Sequence, residues 1–276
     1  MSYKNLKKLI TYFFALLIVL FVVAPLIWSL LSSLKPSNEI LKYPPTFITK
    51  KIVFDHYINL IKRTNFLQYF LNSLIVGIIS TFLTLLIATP AAYSLARFNY
   101  RGRDVISALL LFSYMVPLLL LGLPLFLVMN SLNLINTRLS LVLGYIGFSL
   151  PFSMWMLRAF FLSVPKSLEE AAMIDGASYL QVITKIVLPL AKPGLISSGI
   201  FIFILVWNEY TLALLFIRSE SLKTLPIGIA AFMGMTTYQW GNILSSIVLM
   251  CIPMIIIFMF AQRALVSGFL IGATKE

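Results

Sequence analysis

The sequence predicts an all-α, polytopic membrane protein with six transmembrane helices. Of its 276 residues, 60% are hydrophobic and 11% are charged, whereas a soluble domain carries about 25% charged residues. The apolar residues gather into six runs, each long enough to cross a hydrocarbon core of about 30 Å as a helix. Strands of a membrane barrel would be alternating segments of about ten residues. Composition and run length therefore exclude a soluble globular protein, a disordered chain and a transmembrane barrel.

The first apolar run, at 10–31, follows three lysines, as the apolar part of a secretory signal does. It is longer than a signal core, and no convincing small-x-small cleavage site separates it from Lys35. It is therefore predicted to be a retained anchor. The later runs lie at 70–95, 106–129, 139–161, 195–217 and 243–264. Prolines within the runs predict kinks rather than breaks, at Pro25, Pro90, Pro117, Pro124, Pro151 and Pro253.

Six spans place both termini on the same side of the membrane. The gaps on that side hold the larger share of the 21 Lys and Arg residues, with Arg97, Arg101 and Arg103 together in a short turn. Because positive charge in short loops marks the cytoplasmic side, the chain is predicted to be a multi-pass protein of the cell membrane with both termini in the cytoplasm. The formal charge of +12 is spread through the gaps. This favours contact with anionic membrane lipid over nucleic acid.

Few side chains that perform chemistry are present. His56 is the only histidine and Cys251 the only cysteine, so no imidazole-based metal site and no internal disulfide are expected. Glu209 is the only carboxylate deep in a span. Because these residues supply no acid–base or metal constellation, we expect no catalytic residue, and the chain is predicted not to be an enzyme. Coupling to ions usually needs several ionisable groups within the spans, so a single carboxylate there argues only weakly for an ion-coupled secondary transporter.

The polar gap between spans four and five predicts two short helices around a glycine turn. Ser167 and Glu170 have the spacing of a capping box, and Gly176 suits a left-handed helix stop. A small apolar face on the first helix is formed by Leu168, Ala171 and Ala172. Ser178 and Gln181 form a second capping box, which opens a helix that Pro189 is expected to end. Physical reasoning leaves two alternatives open, a hairpin packed on the membrane or on the protein's own helices, and a docking site.

The same gap resembles a known signature. Its residues match in spacing the EAA signature of the permease subunits of binding-protein-dependent ABC importers, at Glu170, Ala171, Ala172, Gly176, Ile186, Leu188 and Pro189. The resemblance implies a cytoplasmic coupling helix that a cleft on an ATPase receives. Glu170 would pair with a basic group of the ATPase, while Ala171 and Ala172 would permit close approach. Asp175, in the same segment, is interpreted as a local cap or turn stabiliser.

Other stretches are similar to the carbohydrate branch of this family, and in particular to the smaller permease of maltose importers. They are Lys-Pro-Ser-Asn-Glu-Ile at 35–40, Pro-Pro-Thr at 44–46, Asn-Ser-Leu at 72–74, Ala-Ala-Tyr-Ser-Leu-Ala-Arg at 91–97, Trp-Asn-Glu-Tyr at 207–210 and Trp-Gly at 240–241. The resemblance therefore implies an ATP-driven importer of a sugar. It also implies an anchor and first outer loop at 1–69, a permease core at 70–265 and a cytoplasmic tail at 266–276. A phosphate or peptide branch remains the nearest alternative.

The resemblance also implies an assembly. The sequence lacks the Gly-x-x-x-x-Gly-Lys-Ser/Thr phosphate loop, so no cofactor is expected on this chain, and ATP and Mg would bind a partner ATPase. The expected partners are two ATPase subunits, a second and non-identical permease, and an extracytoplasmic solute-binding protein.

Two further sites are predicted with less detail. Asn208, Glu209 and Tyr210 place polar groups in an apolar span, so they are expected to face the translocation path or a partner permease rather than lipid.

In the outer gap at 218–242, an adaptable tip is suggested by Gly228, Met233, Gly234 and Met235. By resemblance this tip would reach into the binding protein, and the alternative is a solvated connector.

Overall fold

The computed structural model describes residues 3–49, 51–234 and 239–273, and within these ranges the regular elements are helices. The chain divides into two compact units. The first comprises Met1–Leu67 and Gly228–Pro253, and the second comprises Gln68–Ile227 and Met254–Glu276.

Within the described ranges, four helices are long and apolar enough to cross a membrane. They are Lys7–Ser33 within α1 (Tyr3–Ser33), α4 (Phe66–Arg97), α7 (Arg138–Ser163) and Trp240–Gln262 within α14 (Trp240–Ala273). Two bent pairs pass the same test, α5 (Arg103–Met115) with α6 (Leu118–Ser131) at 101°, and Tyr179–Leu190 with α11 (Lys192–Trp207) at 71°. Six crossings result if each bent pair counts as one, which agrees with the predicted all-α membrane fold.

Span three is broken at Pro117, where the sequence predicted a kink. Helix α5 ends at Met115, Val116 is extended with φ −71° and ψ 123°, and α6 begins after Pro117. A proline ring disfavours helical geometry in the residue before it, and here the chain turns by 101° instead of continuing. The other prolines of the prediction lie inside continuous helices, at Pro25, Pro90, Pro124, Pro151 and Pro253.

Span five is also divided. Helix α11 ends at Trp207, and α12 (Thr211–Phe216) begins after the three residues Asn208, Glu209 and Tyr210. The predicted single helix over 195–217 is therefore wrong. The polar residues that mark the break in the sequence are the ones that leave the helix.

The first unit folds around a buried lysine. The gap after α1 contains α2 (Ser37–Ile40) and α3 (Asp55–Arg63). Lys35 is 1% exposed; its Nζ donates to the Thr46 carbonyl at 2.5 Å and lies 4.4 Å from the ring centroid of Trp28. His56 is buried in α3, although it lies in a polar gap of the sequence, and its Nε2 is 2.9 Å from the Lys35 carbonyl oxygen. A ring face and a carbonyl thus offset part of the cost of burying the ammonium group.

The described side chains of the second unit form two apolar clusters. One joins α4, α6, α7, α11 and α12 around Tyr145, Ile202 and Phe216. The other packs Ala88, Ala92 and Ala96 of α4 against α7 and the segment at 182–191. Small alanine side chains on α4 let that segment approach closely. The segment includes the end of the candidate coupling hairpin (residues 166–188), so this hairpin packs on the end of α4 that carries Arg97.

Candidate functional site

The hairpin predicted between spans four and five is present, but it begins differently. Helix α8 (Lys166–Ile174) has Pro165 as its N-cap, in extended geometry with φ −61° and ψ 129° and without a side-chain cap. Ser167 therefore lies inside the first turn, and the capping box expected with Glu170 is wrong. The proline fixes the extended entry into the helix, and the helix starts two residues earlier than the expected box would place it.

The turn of the hairpin agrees with the sequence. Gly176 has φ +87° and donates its N–H to the Met173 carbonyl at 3.1 Å, in the left-handed geometry that glycine tolerates best. Asp175 is the C-cap residue of α8. The second capping box is confirmed, since Ser178 and Gln181 exchange side-chain and backbone hydrogen bonds at the start of α9 (Tyr179–Val182).

Pro189 does not end the second helix, contrary to the prediction. A π-helical turn at Ile183–Val187 follows α9, and Pro189 lies at the start of α10 (Leu188–Leu190). Val187 keeps helical geometry, with φ −69° and ψ −50°, so Tyr179–Leu190 is one helix and Pro189 lies next to its last residue. Ala191, with φ −82° and ψ 0°, separates this helix from α11.

The hairpin has an inward side and an exposed side. Ala172 and Leu188 are partly buried against the second apolar cluster, and Ile186 is also partly buried. The predicted coupling residues that are exposed are Glu170, Ala171, Asp175, Gly176 and Pro189. Large apolar side chains join them on the surface, at Leu168, Ile174, Tyr179 and Leu180. The exposed side therefore combines apolar area with a free carboxylate, which is the chemistry of a protein-binding surface.

The neighbouring Glu169 was missed by sequence reasoning. It is 6% exposed, and its Oε1 lies 2.5 Å from Nε of Arg97, while Tyr93 donates its hydroxyl to Oε2 at 2.8 Å. Arg97 also donates from Nη2 to the Val164 carbonyl at 2.8 Å. The stretch at 91–97, which contains Tyr93 and Arg97, pointed to this part of the chain. The sequence does not indicate, however, that Glu169 is the partner of these two residues. This cluster ties α8 to the end of α4.

Glu209 has a different environment from its two neighbours. It is buried, and its carboxylate accepts the backbone N–H groups of Leu212 at 3.0 Å and Ala213 at 3.2 Å, in the first turn of α12. The carboxylate thus satisfies donors that the broken span leaves unpaired. Asn208 and Tyr210 are exposed on the chain, and Asn208 donates from Nδ2 to the Ile204 carbonyl at 2.8 Å.

Side chains of α4 hold the backbone in the first part of the gap that follows span five. Asn72 donates from Nδ2 to the carbonyls of Ser221 and Lys223, both at 2.9 Å. Its Oδ1 accepts from Arg138 at 2.8 Å, and Ser73 accepts the N–H of Leu225 at 2.7 Å. The segment at 218–225 is therefore fastened to α4 through the Asn-Ser pair of the stretch at 72–74.

A second contact of this segment involves charge. Glu220 accepts from the Tyr69 hydroxyl and forms an ion pair with Lys223 at 2.5 Å. The Lys223 ammonium group first, and the Tyr69 hydroxyl second, lower the pKa of the Glu220 carboxyl below its usual value.

The predicted adaptable tip lies beyond this fastened segment. Gly228 is buried inside α13 (Leu225–Ala231), so it does not provide the expected flexibility. Met233 and Gly234 are exposed, whereas Met235 lies outside the described residues.

Comparison with known proteins identifies the chain's relatives. Residues 88–270 match the family described as binding-protein-dependent transport system inner membrane component. A sulfoquinovosyl glycerol transport permease of Agrobacterium fabrum is 38% identical, over 91% of this chain and 88% of that protein. A trehalose/maltose transport permease of Thermococcus litoralis is 34% identical over 98% of each chain. A diacetylchitobiose uptake permease of Streptomyces coelicolor is 33% identical over 94% of each.

Solved structures show the same fold. A chain from the crystal structure of a bacterial ABC transporter that imports the acidic polysaccharide alginate superposes with a TM-score of 0.78 at 23% identity, over 95% of this chain and 98% of that one. A chain of the MetNI methionine ABC transporter gives 0.61 at 19% identity, over 79% and 99%. With the family match and relatives that are more than 30% identical along nearly the whole chain, the protein belongs to the inner membrane permease components of binding-protein-dependent transport systems.

Proposed function

We propose that this chain is one of two permease subunits of an ATP-driven sugar importer, and that it engages a separate ATPase through the hairpin at 166–188. The observation that carries the ATPase assignment is the exposed side of this hairpin. Ile174 and Leu180 are 86% and 71% exposed there, although the inward side of the same hairpin is packed in the apolar cluster. A rigid hairpin with an apolar exposed side suits contact with another subunit.

In this proposal the hairpin residues have different roles. Glu170 pairs with a basic group of the ATPase, and Ala171 permits close approach of the two surfaces. Ala172, Ile186 and Leu188 hold the hairpin against the spans, while Asp175 and Gly176 form its turn. ATP and Mg bind the ATPase, of which the complex holds two copies, and this chain carries neither. Both termini lie with the hairpin in the cytoplasm.

The sugar assignment rests on the relatives. Three permeases that match at least nine-tenths of this chain are named for glycosides or disaccharides. An extracytoplasmic binding protein delivers the sugar, and the tip at 233–235 contacts it. Asn208 and Tyr210 face the second permease, where the translocation path lies. Glu209 is engaged in capping α12, which argues against the alternative of an ion-coupled transporter.

Co-purification tests the proposal. The tagged permease should retain an ATPase and a second permease, and ligand screening of the cognate binding protein should return a sugar. Glu170→Lys should abolish ATPase retention and transport. Asp104→Lys is the matched control, because Asp104 is an exposed acid beside Arg103, in the first turn of α5. Equal ATPase retention by both variants would contradict the docking assignment, and a phosphate or peptide ligand would contradict the sugar assignment.

A further inference from the structure

Helix α4 is fastened at both ends to segments that the proposed function places on opposite sides of the membrane. At one end, Arg97 and Tyr93 hold Glu169 of the coupling hairpin. At the other end, Tyr69, Asn72 and Ser73 hold the segment at 218–225. Tyr69 and Arg97 are separated by about 42 Å at a rise of about 1.5 Å per residue, which is enough to span the membrane.

The inner attachment is strong for a physical reason. Both side chains of the Arg97–Glu169 pair are at most 7% exposed, so water screens them weakly. The pair is also completed by hydrogen bonds, because Tyr93 donates to Glu169 and Arg97 donates to the Val164 carbonyl. Removal of one partner would leave a buried charge without compensation, which is far more costly than loss of a surface pair.

The outer attachment relies on backbone recognition. The Asn72 amide donates to two carbonyls of the segment, while Ser73 accepts an N–H from it. Arg138 of α7 fixes the orientation of the Asn72 amide by donating to Oδ1 from Nε at 3.1 Å and from Nη2 at 2.8 Å. The segment at 218–225 therefore has to move with the start of α4, unless these hydrogen bonds break.

We propose that α4 is the connecting rod of this permease, and that Arg97 and Asn72 are the positioning residues that join it to the coupling hairpin and to the outer segment at 218–225. The inference rests on the proposed function, since it takes the hairpin to be moved by the ATPase. Displacement of α8 shifts α4 through the buried ion pair, and α4 shifts the outer segment. The helix continues without interruption through Pro90, so the displacement is carried along its whole length.

A label on the outer segment tests the rod in the assembled complex. In a Cys251→Ser background, Ser221→Cys carries a fluorophore, because the Ser221 side chain is exposed and its carbonyl makes the contact with Asn72. ATP should change the fluorescence in the otherwise unaltered protein. Glu169→Gln and Asn72→Ala should each reduce this change, and transport per ATP hydrolysed, by about tenfold. The double variant should lose no more than either single variant, because one break already disconnects the rod.

Two controls match these substitutions. Asp104→Asn alters the exposed Arg103–Asp104 pair, and Asn130→Ala removes an exposed amide from the end of α6; both should preserve the response. A complex with Glu169→Gln that hydrolyses ATP and shows the full response would overturn the rod, as would losses that multiply in the double variant. If Glu169→Gln prevents assembly of the complex, Asn72→Ala alone tests the rod, because Asn72 lies at the end of α4 away from the hairpin. A full response in the Asn72→Ala complex would then overturn the proposal. A complex without substitutions that fails to bind an ATPase would instead contradict the proposed function.

Discussion

Gly241 lies directly against the imidazole of His56, so that a Cβ atom at this position would fall 2.1 Å from Nδ1. The other ring nitrogen is 2.9 Å from the Lys35 carbonyl oxygen, and the buried Lys35 ammonium in turn donates to Thr46. The glycine of the Trp-Gly stretch is thus required by the packing of the first unit, and not by a turn.

We predict that Gly241→Ala destabilises the protein by about 1–3 kcal/mol, because the imidazole has to leave its place against the backbone. Thermal unfolding of the detergent-solubilised protein measures this loss. Gly147→Ala, in α7, is the matched control, since a Cβ there meets no atom within 4 Å. Equal melting temperatures for the two variants would show that the His56 contact is dispensable.

If the hairpin docks on an ATPase as proposed, its turn should depend on the glycine for function. Gly176→Pro cannot adopt φ +87°, so we expect the hairpin to change shape and ATPase retention to fall at least tenfold. Gly102→Pro is matched in strain, because Gly102 also has a positive φ of 90° and open space around it. Retention should survive Gly102→Pro. If both variants lose the ATPase alike, general misfolding and not docking explains the loss.

Removal of the Glu209 carboxylate should destabilise the start of α12, at the break in span five. Glu209→Ala leaves the buried N–H groups of Leu212 and Ala213 without this acceptor, at a cost of about 1–3 kcal/mol. Thermal stability should therefore fall, while transport competition among sugars keeps its order of preference. Glu209→Gln retains an acceptor oxygen and should be milder. A changed sugar preference in either variant would instead place Glu209 in the translocation path.

Acid should weaken the attachment of the outer segment. The pKa of Glu220 is lowered in the folded protein, so its contribution to stability is present above the unfolded pKa of about 4.3 and is lost as the pH falls through the folded value. The protection factors of the amides at 218–223, which are hydrogen-exchange rates corrected for the intrinsic effect of pH, should fall below about pH 4. The effect should be small, because the Glu220 side chain is 52% exposed. Glu220→Gln should remove the pH dependence of this exchange, and a dependence that persists would assign it to another group.

The sequence by itself determined the membrane class, the positions of the spans and the glycine turn of the hairpin. These features depend on runs of apolar residues and on local backbone preferences, both of which can be recognised within a few neighbouring residues. The residues that resemble the EAA signature fall on this hairpin and on the proline that follows it. Ser178 with Gln181 was recognisable for the same reason, because a capping box closes within four residues.

Only the tertiary structure distinguished Glu169 from Glu170. The two residues are adjacent and chemically identical in their side chains, and the rotation of α8 buries the first against Arg97 while it exposes the second. The attachment of Asn72 to residues 149 and 151 positions away likewise cannot be seen in the sequence. The Glu209 carboxylate, which caps α12, accounts for the break at Asn208–Tyr210. Long-range packing decides which polar groups have partners, and local patterns of hydropathy do not record it.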